Sequence, residues 1–543
     1  MTEPNSIYKK KIDKKILLLL IVPFIVIIGY ILLSNTRGHF YYGYNSDPDY
    51  TYLLNSLSIV NNLTPGHVDH PGTPLQTLGA IVIKISNLGK SIEEINTNLI
   101  KNPEYYLVII SIAIFMMFIC AIILIGIVGY LFLKDILLAM ILQSSSFISI
   151  SVFRCISRVY PESLLLIICT IFLIIILFHF KYDIEKHSLI YSIIFGIICG
   201  LGIATKVTFI PLLIVPIIIL SGKKNKLLFL LITLFSFVIF TIPTIRNYPH
   251  MFKWFVDIFS HSGKYGGGEQ NIIDFHTLLN SVFLLISKNY IYLFLNSLSG
   301  LITIFIFLKH KKALKQKENR FLFRLIIALL CSTVFQILMT LKQFSNRYLI
   351  PSMMITIFTL VIAYIFLKEN KIFSLKLLKI KNNLFYIICF IFISCLFLSL
   401  FSIVSYKKIK HRKSLSKEAV DFEFFFSDNY NEYTKIYYYG SSSIEYSLFF
   451  YDKFYNNSNF YKYIKKEYYD DKVLFYYDMF LDDIFGRYFF DWDNNTFKTL
   501  PNPEKSIFVG TDRIEQTIST EYKNRLKNVY SINEFTNVYE ITK

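Results

Sequence analysis

Charge is scarce in this chain. Asp, Glu, Lys and Arg together make up 17% of its 543 residues, too little to cover an ordinary soluble surface. Cysteine is scarce as well. Six of the seven (Cys120, Cys169, Cys199, Cys331, Cys389 and Cys395) lie inside apolar runs, Cys155 lies near a helix end, and no CxxC spacing occurs. That pattern supports neither a disulfide framework nor a structural zinc site. No glycine-rich nucleotide loop, internal repeat or signal-cleavage site after the first apolar run is visible. The net charge of +18 has no separate basic face with interleaved aromatics behind it, which excludes nucleic acid as a partner. Most of the excess lysine lies in short loops between apolar runs.

Those apolar runs are what the chain has in abundance. Hydrophobic residues make up 54% of the sequence, and the mean hydropathy is +0.47. Runs near twenty residues are the length a helix needs to cross about 30 Å of hydrocarbon. They predict about eleven spans, at 16–33, 105–133, 136–153, 162–180, 188–206, 207–220, 227–245, 275–308, 325–341, 349–367 and 384–403. The 207–220 run is short, and 275–308 is long enough to include a surface helix.

With the amino terminus inside, the inside loops receive Lys181 and Lys186, then Lys223, Lys224 and Lys226. They also receive the basic run from Lys309 to Arg320 and the lysines from Lys368 to Lys381. Outside segments receive scattered single bases, as the positive-inside rule requires. The cluster from Lys407 to Lys413 is a local exception.

Two parts are therefore expected: a multi-spanning membrane domain, 1–404, with a long first outside loop, 34–104, and an extracytoplasmic domain, 405–543. The tail is polar, rich in Tyr and Phe, and free of cysteine. Short β-like runs at 435–439, 472–477, 506–510 and 528–532 alternate with helix-like stretches at 441–453 and 514–526, which predicts a small α/β domain.

The first outside loop concentrates the unusual residues. It opens with Ser46-Asp47-Pro48-Asp49-Tyr50 and continues to Asp69-His70-Pro71-Gly72-Thr73-Pro74. The apolar stretch 75–85 follows, too short to span and read as an interfacial helix. Asp47 or Asp49, held at the membrane surface, suits a general base acting on a substrate delivered from lipid. A solvated Asp/Pro turn is the plainer alternative. An Asp-x-Asp pair can also hold a divalent cation. A second group is basic and sits at the outer ends of helices: Arg154, Arg158, Lys206, Arg246, Lys342 and Arg347. Guanidinium matches phosphate oxygens bidentately, so these residues offer a phosphate pocket; the alternative is snorkelling to lipid headgroups.

In their order these pieces resemble the GT-C class of membrane glycosyltransferases, in particular the family 39 and protein O-mannosyltransferase-like group. The carrying residues are Asp47-Pro48-Asp49-Tyr50, His70-Pro71-Gly72-Thr73-Pro74, Arg158-Val159-Tyr160-Pro161-Glu162, Gly200 to Lys206, Asn346-Arg347-Tyr348-Leu349-Ile350-Pro351, and Tyr439-Gly440 with Tyr446 to Tyr451. The group usually writes adjacent Asp-Glu where this chain has Asp-Pro-Asp-Tyr.

The resemblance implies a polytopic α-helical fold with an outer α/β domain. It implies inverting transfer of a sugar from a polyprenyl-phosphate donor to a glycan, lipid or protein hydroxyl. Asp47 or Asp49 would be the base, and Tyr50, Asp69, His70, Arg154, Arg158, Lys206, Arg246 and Arg347 would bind substrate. Members mostly work without metal, so no cofactor is expected, and the expected location is a bacterial plasma membrane. The rival readings are a transporter, flippase or polymerase of lipid-linked saccharides, and a scaffold with a dead site.

Overall fold

The structure, a computed structural model, describes residues 14–41, 46–181, 187–262, 266–271, 274–372, 429–430, 432–437, 444–468, 473–475, 488–491, 496–499, 506–510, 525–533 and 536–541. In chain order the first helices are α1 (Ile21–Arg37), α2 (Ser46–Val60), α3 (Thr73–Ser86), α4 (Ile92–Lys101), α5 (Pro103–Leu133), α6 (Ile136–Gln143), α7 (Ile150–Cys155) and α8 (Pro161–Lys181). Then come α9 (Ser188–Thr205), α10 (Ile214–Ile219), α11 (Lys223–Phe240), α12 (Tyr248–Ser260), α13 (Phe275–Lys288), α14 (Tyr290–Lys309), α15 (Lys317–Leu341) and α16 (Ile350–Glu369). The carboxy-terminal part adds α17 (Ile444–Asn456) and α18 (Tyr461–Tyr468), with strands β1 (Thr434–Tyr437), β2 (Val473–Phe475), β3 (Tyr488–Asp491), β4 (Thr496–Thr499), β5 (Ser506–Gly510), β6 (Leu526–Asn533) and β7 (Thr536–Ile541).

Among the described residues, seven helices are long and apolar enough to cross a membrane, or eight if α11 and α12, bent by 85° at their junction, are one span. The chain is a polytopic α-helical membrane protein.

The difference from the expected eleven has local causes. The 136–153 run breaks between α6 and α7, where Ser144 Oγ donates to Ile141 O at 2.7 Å and Ser145 Oγ to Leu142 O at 3.0 Å. Serine side chains here compete with the helix ladder. In the 207–220 run, Pro211 sits inside a 3-10 segment that precedes the six-residue α10, because proline brings no N–H to an α-helical ladder. The 227–245 run turns off at Thr241, and 275–308 splits at Asn289 into α13 and the spanning α14. The 384–403 run lies outside the described residues.

Polar contacts tie the bundle together at both ends. At one end Lys368 meets Asp135 at 3.5 Å, Asn319 pairs with Asn370 at 2.8 Å, and Asn225 reaches Ser188 at 2.9 Å. At the other end lie α2 to α4, α12 and the ion pairs described below.

Glycine lets two helices of the bundle approach closely. A Cβ on Gly200 of α9 would lie 2.7 Å from Thr233 O and 2.5 Å from Ser236 Cβ, both on α11. A large side chain there must push the two helices apart. Gly200→Leu is therefore expected to cost about 1–3 kcal/mol or more, read as loss of the monodisperse peak and a lowered Tm in detergent.

α2 was expected as part of a loop, and it is a buried helix. Tyr50, Tyr52, Leu53, Leu54 and Leu57 are all fully buried. Its buried polar groups turn back on the helix: Asn55 Nδ2 donates to Thr51 O at 2.8 Å and Ser56 Oγ to Tyr52 O at 2.6 Å. Pro48 stands in the first turn, where a missing N–H costs nothing, and the acids at this end complement the helix dipole. The interfacial helix expected at 75–85 is α3.

The carboxy-terminal strands form a five-stranded sheet in the order β2-β1-β5-β7-β6 and a separate β3-β4 pair. β1 runs parallel to β2 and β5, and β7 pairs antiparallel with β5 and β6. The four expected strands overlap β1, β2, β5 and β6, whereas the expected helix at 514–526 falls almost wholly outside the described residues. α17 packs on α2, where Ser58 Oγ donates to Asn456 Oδ1 at 2.9 Å. α18 packs on α4, where Tyr468 donates to Ile100 O at 2.9 Å.

Within this joint, both oxygens of Asp452 accept from the Phe460 N–H at 3.2 Å. Burial pushes the Asp452 carboxyl up to about 8, against the pull of that hydrogen bond and of Lys453. The native state thus keeps a proton that the unfolded chain releases near the ordinary carboxylate value, about 4. The stability this proton gives is complete below pH 4 and is lost as pH rises through 8. Asp452→Asn is expected to flatten that dependence, and thermal melts between pH 5 and 9 check it.

Candidate functional site

Two buried ion pairs form beside one another where α2, α8, α9 and α16 meet. Asp49, fully buried in the first turn of α2, takes the Arg158 guanidinium on Oδ2 through Nη2 and through Nε, the latter at 2.9 Å. Its Oδ1 accepts the Val159 N–H at 2.7 Å. Both oxygens of Asp49 are thus committed. Arg37, at the end of α1, steadies the same corner by donating to Ser157 O at 2.6 Å.

The second pair is Glu162 with Lys206, Oε1 to Nζ at 2.6 Å. Glu162 is fully buried in the first turn of α8, just after Pro161, a position that suits both residues. Lys206 follows the last residue of α9. Arg347 approaches the same Oε1 at 3.9 Å while keeping 40% of its side chain exposed. Tyr160 links the two pairs, with Arg158 4.4 Å and Arg347 5.3 Å from its ring centre, and Lys206 stands 5.1 Å over Tyr348. Three cations face two carboxylates, so the cluster carries a surplus of positive charge that an anion can satisfy.

Lys206 also opens onto a cavity of about 520 Å³. Its walls come from the end of α9, the 3-10 segment Val207–Leu213, α11, α12 and α15, and they are mostly apolar, with Leu230, Leu234, Phe237, Phe255 and Met339 among them. Polar groups enter from Lys206, His70, Tyr348, Lys342 and Gln343. Burial, and after it the Lys206 charge, holds His70 well below the ordinary histidine range. It therefore meets the cavity as a neutral imidazole, one nitrogen donating and one accepting.

No family model, curated protein or solved structure matches the chain. The functional reading rests on its own residues.

The structure thus gathers Asp49, Arg158, Lys206 and Arg347 into one cluster and places His70 at the adjoining cavity. Asp69 faces His67 at 3.9 Å, beside that cavity. Tyr50 has a different position from the one expected of a substrate contact: it is fully buried and donates to Glu104 at 2.9 Å. Glu104 also accepts the Phe40 N–H at 2.9 Å, which ties the exit of α1 to the start of α5. Arg154 and Arg246 are exposed, and among the described residues no ion pair or hydrogen bond joins either to the cluster. Lys342 turns to Phe259 O at 2.6 Å. Asp47 belongs to the first turn of α2; its side chain lies outside the described residues. Among the described residues, no three His, Cys, Asp or Glu side chains come together as a metal-binding group.

Glu162 is the member of the cluster to which the sequence analysis gave no role. An acid two residues after Tyr160, at the start of an otherwise apolar helix, was the available signal, since a buried carboxylate there requires a cation.

Proposed function

We propose that the protein is a membrane glycosyltransferase of the GT-C kind that its motifs resemble. It moves a sugar from a polyprenyl-phosphate donor to a hydroxyl acceptor on the extracytoplasmic face. The observation that carries this reading is the joining of a mostly apolar cavity to a cationic end. A lipid chain fits the walls built by α11, α12 and α15, and its phosphate fits beside Lys206, Tyr348 and Arg347.

The chemistry follows from that placement. An acceptor oxygen attacks the anomeric carbon as the bond from that carbon to the phosphate oxygen breaks, with inversion. The acceptor proton goes to a carboxylate, and the extra negative charge collects on the leaving lipid phosphate. Lys206 and Arg347 stabilise that charge where it develops, the larger part of catalysis in such a site. Asp47 is the base in this reading. Asp49 has both oxygens engaged by Arg158 and Val159, so its work is to fix the turn of α2 that carries Asp47. With the phosphate charge met by side chains, chelators leave transfer unchanged.

The orientation in this reading follows the positive-inside rule. The lysine-rich connections at 221–226 and 309–320 belong to the end marked by Asp135 and Lys368, which is taken as cytoplasmic. The broken segments α6–α7 and Val207–Ile219 also run between the two ends. They supplement the long helices toward the eleven spans expected, in an inner membrane.

Transport is less well supported, because the ion pairs gather at one end of the bundle and not at mid-depth. Thermal stability of the protein in nanodiscs tests the reading. A polyprenyl monophosphate is expected to raise Tm where the matching polyprenol does not. Equal effects of the two lipids would count against a phosphate site.

A further inference from the structure

The loop at 65–70, between α2 and α3, is held by four different elements. Pro65 O accepts from Asn247 at 2.7 Å, the His67 N–H donates to Asn55 at 3.0 Å, and His67 O accepts from Gln76 at 2.8 Å. The fourth element is α17. A Cβ on Gly66 would fall 1.9 Å from Tyr455 O, so only glycine lets the last turn of α17 rest on this loop.

At that contact a chain of rings begins. The Tyr455 ring stands 4.7 Å from His67 at 83°, and His67 stands 5.1 Å from His70 at 86°. His70 lies 6.0 Å from Trp254, and both of these line the cavity beside Lys206. Tyr52 also packs against His67, its ring centre 5.5 Å away. Leu448 and Phe449 of α17 belong to the same buried core as Ile507 and Val509 of β5 and Val538 of β7. A chain of ring contacts thus joins α17 to the cavity wall.

We propose that Tyr455 is a positioning residue that, through His67, fixes His70 in the cavity wall and makes the carboxy-terminal helix α17 a working part of the donor site. The kinetic half of this inference rests on the reading of the cavity as a donor site; the positional half does not. The interior is close-packed, so removing one ring leaves its neighbour without a stop. His70 then shifts, and the cavity changes shape at its polar end.

The test uses the full chain with Trp492→Phe, which leaves Trp254 as the only tryptophan of the two. In that background Tyr455→Ala is expected to shift Trp254 emission. It is expected to raise the donor KM roughly ten- to a hundredfold with kcat little changed, the mark of altered ground-state binding. Tyr455→Phe keeps the ring and should keep both values. Gly66→Ala, which lifts α17 from the loop without altering any ring, should reproduce the effects of Tyr455→Ala. A Tyr455→Ala protein that melts as a single species, with unchanged emission and unchanged KM, would overturn the proposal, and so would a change in emission with no change in KM. If the unmutated protein transfers no sugar, the failure belongs to the functional reading, and the emission series still decides the positional claim.

Discussion

Asp47→Asn is expected to abolish sugar transfer while leaving the protein folded, and Asp49→Asn to unfold the site first. The two residues stand two positions apart in the first turn of α2, yet they are not equivalent. Asp49 is fully buried, with Arg158 on one oxygen and the Val159 N–H on the other. Neutralising it leaves the Arg158 charge nearly buried without its counter-ion, which costs about 3–5 kcal/mol. The Tm of Asp49→Asn should fall by several degrees, and its activity should fall with the folded fraction. Removing a general base costs roughly 10²- to 10⁴-fold in rate. Asp47→Asn should show that loss in kcat at an unchanged Tm. The reverse pattern, a stable and inactive Asp49→Asn beside an active Asp47→Asn, would move the base to Asp49.

The second large effect concerns Glu162 and Lys206. Each is buried, and they meet at 2.6 Å. Lys206→Met leaves Glu162, among the described residues, facing Arg347 alone at 3.9 Å, and Glu162→Gln removes the counter-ion of Lys206. Either change alone is expected to cost about 3–5 kcal/mol of stability. Made together they should restore most of it, because two neutral side chains of similar size leave no buried charge. Donor binding should not return. A lost charged contact to phosphate is worth about 1.5–3 kcal/mol, roughly a ten- to hundredfold rise in donor KM. Melting curves and donor titrations of the two single variants and the double variant make the cycle. A double variant with ordinary donor affinity would leave Lys206 a structural residue only.

Much of this architecture was legible in the sequence. The apolar runs at 105–133, 162–180 and 349–367 became α5, α8 and α16 almost residue for residue, because length and hydropathy alone decide a span. Interruptions were less legible. Ser144, Ser145, Pro211 and Asn289 each redirect backbone hydrogen bonding without much lowering the hydropathy of a twenty-residue window. Helix α2 was missed because its Asn, Ser and Thr residues read as a polar loop. The side chains of Asn55, Ser56 and Ser58 bond back to their own helix, and α17, although expected as a helix at 441–453, carries no local sign that α2 is what it covers.

The site was legible as residue types and not as partnerships. Arg158, Lys206 and Arg347 were found as cations at helix ends, but their pairing with Asp49 and Glu162 spans 109, 44 and 185 positions of sequence, and no local spacing encodes it. Arg154 shows the converse. It sits one turn from Arg158, in the same sequence context, and faces outward.

The central claim is that the cationic end of the cavity holds a lipid phosphate whose sugar is transferred. Purified protein in nanodiscs, given polyprenyl-phosphate donors with labelled sugars and a panel of hydroxyl acceptors, tests it most directly. Transfer, or slow release of free sugar with equal formation of polyprenyl phosphate, is the predicted result, together with its loss in Asp47→Asn and its persistence in chelator. A folded wild-type protein that consumes no donor from any sugar in the panel would contradict the account.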